Sequence, residues 1–303
     1  MHKIIPVLPK EKEELMKFYI QQRIPFILEG PPGTGKSLAA RYWSKEITGS
    51  DPIKIDITED TELMHVLGDI DWKRLLAESH QAKESRPSLW SPVHGGQIVD
   101  FTVLYERYYV PSAAIKAMQE GRVLIVEELD RCGRDTLFPV FFDMIEYKQT
   151  YVPALQREII AEEGFNVIIT VNRDTDVGTV RLPDAFLRRL RRIFIPNPDF
   201  QTEVQIVLAN IPDASENLVE QIVRTVQNLR KLELQHRPAP SETVQWVADL
   251  INMFGPSLDK ATNEQLSLTL AAICKDIEDE EFMLKAVGAA TVSKPKSGKS
   301  PRL

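Results

Sequence analysis

Apolar residues follow two rhythms along the 303-residue chain. Up to about residue 195, short strand-like segments alternate with stretches of helical spacing, and beyond it only helical spacing remains. Strands are predicted at residues 25–28, 53–57, 123–126, 166–171 and 192–195, and Val123-Leu124-Ile125-Val126 is a continuous apolar run. Runs of this kind suit strands covered on both faces, as parallel strands are. Between them the spacing predicts helices over 10–23, 37–46, 61–67, 111–121 and 136–147. Leu15, Phe18 and Tyr19 form the apolar stripe of the first, and Asp135 is the expected N-cap of the last. Strands alternating with helices predict a parallel sheet with right-handed crossovers.

Three stretches break the alternation. Residues 81–97 contain Pro87, Pro92, Gly95 and Gly96 and read as an irregular insertion. Residues 97–110 gather the β-formers Ile98, Val99, Phe101 and Tyr109, which predicts a ribbon. Residues 149–165 read as a hairpin turning at 153–156. After Pro196-Asn197-Pro198 the composition shifts, and 199–287 offers helical patterns broken near Pro212, Pro238–Pro240 and Gly255-Pro256. The expected organisation is an α/β domain over 1–199, a smaller all-α lid domain over 200–288, and a tail over 289–303. The tail, rich in Lys, Ser, Gly and Pro, reads as disordered.

Composition narrows the function classes. Apolar residues make up 43% and charged residues 27%, ordinary for a globular protein. No apolar run approaches the roughly 18 residues that span a bilayer, so no membrane insertion is expected. The N-terminus is charged throughout and has no signal-peptide core. Cys132 and Cys274 form no redox or metal pair, and a reducing cytoplasm is the expected location. The five histidines lack ligand spacing. A net charge of −7 argues against a surface devoted to nucleic acid. Locally the sign reverses, with Arg188, Arg189, Arg191 and Arg192 in one segment and Lys294, Lys296, Lys299 and Arg302 in the tail.

The chemistry concentrates at the ends of the predicted strands. Gly30, Pro31, Pro32, Gly33, Thr34, Gly35, Lys36 and Ser37 stand where the first strand turns into a helix, the P-loop pattern for nucleoside triphosphates. Its glycines reach backbone conformations closed to residues with a Cβ. The loop amides can then turn around phosphate oxygens, with the helix dipole aimed at the same anion. Lys36 adds a full charge beside the β- and γ-phosphates, and the Ser37 hydroxyl is a hard oxygen ligand for Mg²⁺. Glu127 and Glu128 follow the strand at 123–126, where the carboxyl edge of a parallel sheet opens onto the ligand crevice. One can hold the metal while the other orients or deprotonates water. Asn172, at the end of the strand at 166–171, is a candidate contact for that water or for the γ-phosphate.

With these motifs in place the sequence resembles AAA+ ATPases and, among them, the MoxR family. Gly178-Thr179-Val180-Arg181-Leu182-Pro183-Asp184-Ala185 resembles that family's Gly-Thr-Tyr-x-Leu-Pro-Glu-Ala stretch. Glu127-Glu128-Leu129-Asp130-Arg131 is close to its Asp-Glu-Ile-Asn/Asp-Arg. Leu67-Gly68-Asp69-Ile70-Asp71 is similar to a stretch that precedes the family's helix-2 insert. The resemblance implies a presensor-1 hairpin at 149–165, a helix-2 insert within 81–110, and Asn172 as sensor 1. It also implies an arginine finger acting on a neighbouring subunit at Arg189, with Arg188 beside it, in a homo-oligomeric ring of six. Family members typically work with proteins bearing a von Willebrand factor A domain, which implies a protein client of that kind. The expected activity is hydrolysis of ATP with Mg²⁺, coupled to remodelling of the client.

Two positions depart from the family. Glu127 stands in place of aspartate, and its carboxylate reaches about 1.5 Å further. Pro240-Ser241-Glu242-Thr243 stands where Ser-Pro-Arg-Ala is usual, so a glutamate occupies the sensor-2 arginine position and Arg237 is the nearby substitute. The competing readings are a nucleic-acid-associated or restriction-type NTPase, and an ATP-binding scaffold that hydrolyses little.

Overall fold

A computed structural model of the protein describes residues 6–82, 93–94, 97–98, 106–133, 135–172 and 182–289. Most of the expected insertion, including Pro87, Pro92, Gly95, Gly96, Val99 and Phe101, lies outside these residues. So do Gly178, Thr179, Val180 and Arg181, and the tail from 290. The chain divides into two compact units. One comprises Glu11–Glu29 and Ala40–Phe194; the other comprises Met1–Lys10, Gly30–Ala39 and Ile195–Leu303.

In chain order the regular elements up to the end of the sheet are α1 (Lys10–Gln21), β1 (Phe26–Gly30), α2 (Lys36–Thr48), β2 (Ile53–Asp56), α3 (Leu63–Leu67), β3 (Asp69–Ile70) and α4 (Trp72–Ala82). There follow β4 (Val93–His94), β5 (Gln97–Ile98), β6 (Tyr109–Val110), α5 (Ala113–Gln119), β7 (Val123–Glu127), α6 (Leu137–Glu146), β8 (Gln149–Val152), β9 (Arg157–Ile160), β10 (Asn166–Asn172), α7 (Asp184–Leu187) and β11 (Arg191–Phe194). Five strands form one sheet in the order β11-β1-β10-β7-β2. The pairs β1–β11, β10–β7 and β2–β7 are all parallel. Phe26, Ile27, Leu28, Leu124, Ile125, Val126, Val167, Ile168 and Ile169 are completely buried, which is why these strands read as unbroken apolar runs rather than alternating ones. From β1 the chain moves to β2 at one edge of the sheet, and from β10 it crosses to β11 at the other. The direction of winding therefore reverses beside β1, and ligands bind at such a reversal, outside the carboxyl ends of the strands.

Packing revises several local expectations. In α1 the buried positions are Met16 and Ile20, while Phe18 is 50% exposed. The stripe runs one residue out of register from Leu15, Phe18 and Tyr19, with Lys17 laid over the Trp43 ring at 3.6 Å. Helix α6 begins at Leu137 with Thr136 as N-cap and no side-chain cap bond, so Asp135 does not cap it; its carbonyl accepts from Phe138 N–H instead. Helix α5 does carry a side-chain cap, with Ser112 Oγ accepting from Ile115 N–H at 3.1 Å. Of the expected ribbon over 97–110, the described ends pair with different segments. Gln97–Ile98 pairs with Val93–His94, and Tyr109–Val110 pairs with Ile70 and Asp69. The reason is long-range: the Tyr109 hydroxyl and Ser112 Oγ donate to the Leu67 and Val66 carbonyls, tying this segment to α3. Residues 149–160 do form a hairpin, turned by a 3₁₀ segment over Pro153–Leu155.

The other unit carries the helices α8 (Phe200–Asn210), α9 (Glu216–Leu229), α10 (Pro240–Phe254), α11 (Asn263–Leu268) and α12 (Ile277–Ala289). Their apolar faces close around Trp246, Val207, Leu218, Ile222, Val226 and Leu250. Asp199 caps α8 by accepting from Thr202 N–H at 2.8 Å. No helix among the described residues is long and apolar enough to cross a membrane.

Candidate functional site

The phosphate-loop motif leaves β1 at Gly30 and enters α2 at Lys36. A Cβ at Gly30 would stand 2.0 Å from the Ile195 carbonyl oxygen, so glycine is required by the close approach of the two backbones. Gly33 has φ +68°, and a Cβ there would meet Ser241 Oγ at 2.5 Å and Ala239 Cβ at 2.6 Å. The middle of the loop thus packs against the residues that open α10. The Lys36 side chain is folded inward: Nζ donates to the Gly30 carbonyl at 2.8 Å and the Pro31 carbonyl at 2.7 Å, and the residue is 6% exposed. Thr34 Oγ1 donates to Pro31 O at 2.9 Å. A buried lysine ammonium held against loop carbonyls at the mouth of a helix is the donor arrangement a polyphosphate needs.

In the sheet unit, β7 and β10 are neighbours and end in Glu127 and Asn172. Glu127 pairs across the ladder with Asp56, and its carboxylate lies 3.9 Å from Lys54 Nζ. The Lys54 ammonium is held above its ordinary value, first by its bond to Asp56 and also by the Glu127 charge. Glu128 takes a left-handed conformation, φ 56° and ψ 42°, which is rare outside glycine and recurs at functional sites. Its Oε1 accepts from Asn172 Nδ2 at 3.3 Å, and its Oε2 lies 2.9 Å from Arg131 Nε. Asp130, 4% exposed, accepts the Asn172 backbone N–H on Oδ2 at 3.0 Å. Burial pushes the Asp130 carboxyl up, against the pull of that hydrogen bond. The structure thus brings Glu128 and Asn172, two of the candidate site residues, into contact. The engagement of Asp130 and Arg131 was not anticipated, although both lie inside the quoted motif.

The fit to Mg²⁺ with a nucleotide rests on the donor chemistry. Among the described residues no group of three or more His, Cys, Asp or Glu side chains could hold a metal alone. A magnesium ion bound through one carboxylate or hydroxyl, phosphate oxygens and water needs no such cage. Ser37 and Glu127 supply hard oxygens of that type.

Three of the four arginines of 188–192 are placed in different ways. Arg192 makes a two-pronged bond to Glu29, itself 5% exposed, with both contacts at 2.9 Å. It clamps β11 to β1 just before the loop. Arg189 lies with its guanidinium 4.0 Å from the Phe142 ring, donates to Ala185 O at 2.7 Å, and has Nε 3.4 Å from Glu146 Oε2. Arg188, at the C-cap of α7, is exposed and has no partner among the described residues.

Glu242 stands where the family resemblance puts the sensor-2 arginine. Glu242 accepts the Ala239 N–H at 2.7 Å and meets His236 Nε2 at 3.1 Å, so this carboxylate closes the first turn of α10. The nearby Arg237 is exposed. The arginine that shapes this turn is Arg230, which sequence reasoning missed. It pairs with the fully buried Glu203 through two contacts of 2.6 and 2.7 Å and donates from Nε to Pro238 O at 2.6 Å.

Comparison with known proteins agrees with this architecture. Residues 97–190 match the model of the AAA domain, dynein-related subfamily. An uncharacterized protein of Staphylococcus aureus strain USA300 is 25% identical over 210 residues, covering 69% of each chain. An uncharacterized Staphylococcus epidermidis protein is 24% identical over 183 residues, 60% of this chain and 68% of its own. Among solved structures, NtrX from Brucella abortus superposes with a TM-score of 0.52 at 12% identity, over 92% of this chain and 59% of that one. NtrX in complex with ADP gives 0.51 at 10% identity, with the same coverage. The chain spans about three-fifths of the NtrX chain. It has the AAA+ P-loop fold: a five-stranded parallel sheet with flanking helices, followed by a helical region.

Proposed function

We propose that this chain is a MoxR-like AAA+ ATPase that binds ATP with Mg²⁺, hydrolyses it as a homo-oligomer and uses the cycle to remodel a protein partner. The observation that carries the reading is the meeting of Glu128 and Asn172 at the ends of adjacent strands, in a sheet where β1, the strand leading into the phosphate loop, lies next to β10. The loop amides and Lys36 bind the phosphates, and Ser37 and Glu127 would hold the metal. Bound magnesium supplies charge that offsets the developing negative charge on the phosphoryl oxygens. The Glu128 carboxylate, with its rotamer fixed by Asn172, aligns a water and accepts its proton. An arginine of the 188–189 pair completes the site of a neighbouring copy. The match to an AAA domain and the Leu182-Pro183-Asp184-Ala185 stretch support the family assignment; the von Willebrand factor A client, the ring of six and a cytoplasmic setting rest on the resemblance.

Phosphate release by the wild-type chain and by Glu128→Gln, each measured with and without Mg²⁺, tests this. The wild type should turn over in a magnesium-dependent manner. The variant should bind Mg-ATP with unchanged affinity while losing turnover by about 10²-fold or more, the scale of a lost general base. Equal turnover by the two proteins would overturn the reading.

A further inference from the structure

Glu128 is held from two sides, by Asn172 Nδ2 at Oε1 and by Arg131 Nε at Oε2. The backbone prepares the second contact. From the left-handed Glu128 the chain enters a 3₁₀ turn over Leu129–Arg131, in which Arg131 N–H donates to Glu128 O at 2.8 Å. Side chains three residues apart eclipse in such a turn, so the guanidinium comes over the carboxylate. Glu128 N–H donates to Thr170 Oγ1 at 3.3 Å, and Asp130 in the same turn holds the backbone of Asn172. One short turn therefore sets both partners of the Glu128 carboxylate.

As a source of stability the pair offers little. Its side chains are 44% and 43% exposed, and solvent and salt screen ion pairs of that kind. Its orienting effect is larger. A reacting group displaced by about 1 Å can lose about 10²-fold in rate.

We propose that Arg131 is a positioning residue: its Nε–H fixes the rotamer of Glu128 so that the carboxylate, shared with Asn172, is aligned on the attacking water. This inference rests on the role given to Glu128 in the ATPase reading.

The test compares wild type, Arg131→Gln, Arg131→Lys, Glu128→Gln and the Glu128→Gln/Arg131→Gln double variant. Arg131→Gln should lower kcat about 10- to 10²-fold, with KM for Mg-ATP and Tm essentially unchanged. Arg131→Lys should recover part of the loss, because it keeps the charge without the planar fork. The double variant should fall no further than Glu128→Gln, because the role proposed for Arg131 runs through that carboxylate. A readout free of turnover is the Arg131 Nε–H resonance of the nucleotide-free protein, which should move in Glu128→Gln and stay in Glu127→Gln. An unchanged or raised kcat in Arg131→Gln, an additive loss in the double variant, or an unmoved resonance would each overturn the proposal. If wild type outpaces Glu128→Gln but Arg131→Gln matches wild type, only the role of Arg131 fails. If wild type and Glu128→Gln are equal, the ATPase reading fails and the role of Arg131 goes with it.

Discussion

The carboxyl edge of the sheet and the turn ahead of α10 both gather charged side chains, but they use them differently. At the sheet edge, Glu128 and Arg131 touch each other and remain almost half exposed, and Glu128 sits in a backbone conformation that glutamate adopts at a cost. Around the turn ahead of α10, Glu203 of α8 is fully buried, Arg230 is spent on Glu203 and on the Pro238 carbonyl, and Glu242 in the first turn of α10 is spent on Ala239 and His236. The first region holds charge where a ligand can still reach it. The second has converted charge into structure. Charge at a motif position thus has meaning only together with what already holds it.

The sharpest way to break this comparison is the arginine pair, whose members fall on opposite sides of it. The family resemblance places the finger at Arg189, yet Arg189 is occupied by Phe142, Ala185 and Glu146 while Arg188 is exposed. If availability decides, Arg188→Ala should lower turnover of the assembled protein by about 10³-fold or more, the scale of a finger supplied in trans. Arg189→Ala should act mainly through stability. Mixing Arg188→Ala chains with Lys36→Ala chains should restore activity, because an intact finger can then meet a loaded loop. Turnover per chain should also rise with protein concentration as shared sites assemble. Complementation by Arg189→Ala but not Arg188→Ala would return the finger to the position the family suggests and show that assembly frees a held arginine.

Arg230 sharpens the other half of the comparison. Arg230→Ala would leave Glu203 charged and buried without its partner, at a cost of about 3–5 kcal/mol. Chemical denaturation should show that loss. Turnover and Mg-ATP affinity of the fraction that remains folded should change far less. A stable Arg230→Ala protein with weakened nucleotide binding would mean that the buried pair serves the ligand and that the division between the two regions is wrong.

The fold was legible because its cause is written in local pattern. A strand such as Val123–Val126, buried on both faces, must be apolar throughout, and an α/β alternation admits few topologies. The loop at 30–37 and the acids at 127–128 were legible because close backbone approach and hard-ligand chemistry restrict the residue types. The remainder depended on distant partners. Arg230 and Glu203 are 27 residues apart, and no spacing rule joins them. The same holds for Tyr109 and Leu67, which set the pairing of the expected ribbon. Asp135 failed as a cap because Thr136, already helical with φ −67° and ψ −17°, holds the N-cap position of α6. The stripe of α1 failed because Leu15, Phe18 and Tyr19 share the helical period with Met16 and Ile20, and only tertiary packing chooses between such sets.

The smallest expected effect concerns Glu127, which lies between the two regimes. Its side chain is 14% exposed, yet the Lys54 Nζ beside it stands at 3.9 Å, the outer limit of an ion pair. Such a contact neither consumes the carboxylate nor fixes it, so the longer side chain keeps freedom to adjust toward a metal. Its carbonyl accepts Ile57 N–H at 3.0 Å, and that bond is indifferent to side-chain length. Glu127→Asp should therefore leave the fold intact and turnover equal to wild type or modestly raised, since the shorter acid draws its oxygens back by about 1.5 Å to the reach usual in the family. Steady-state phosphate release at several Mg²⁺ concentrations checks this. A loss near 10²-fold, the scale of a 1 Å misplacement, would show that the site is built around the longer acid. Glu127 would then belong with Glu242 and Glu203, as a carboxylate whose length is fixed by what surrounds it.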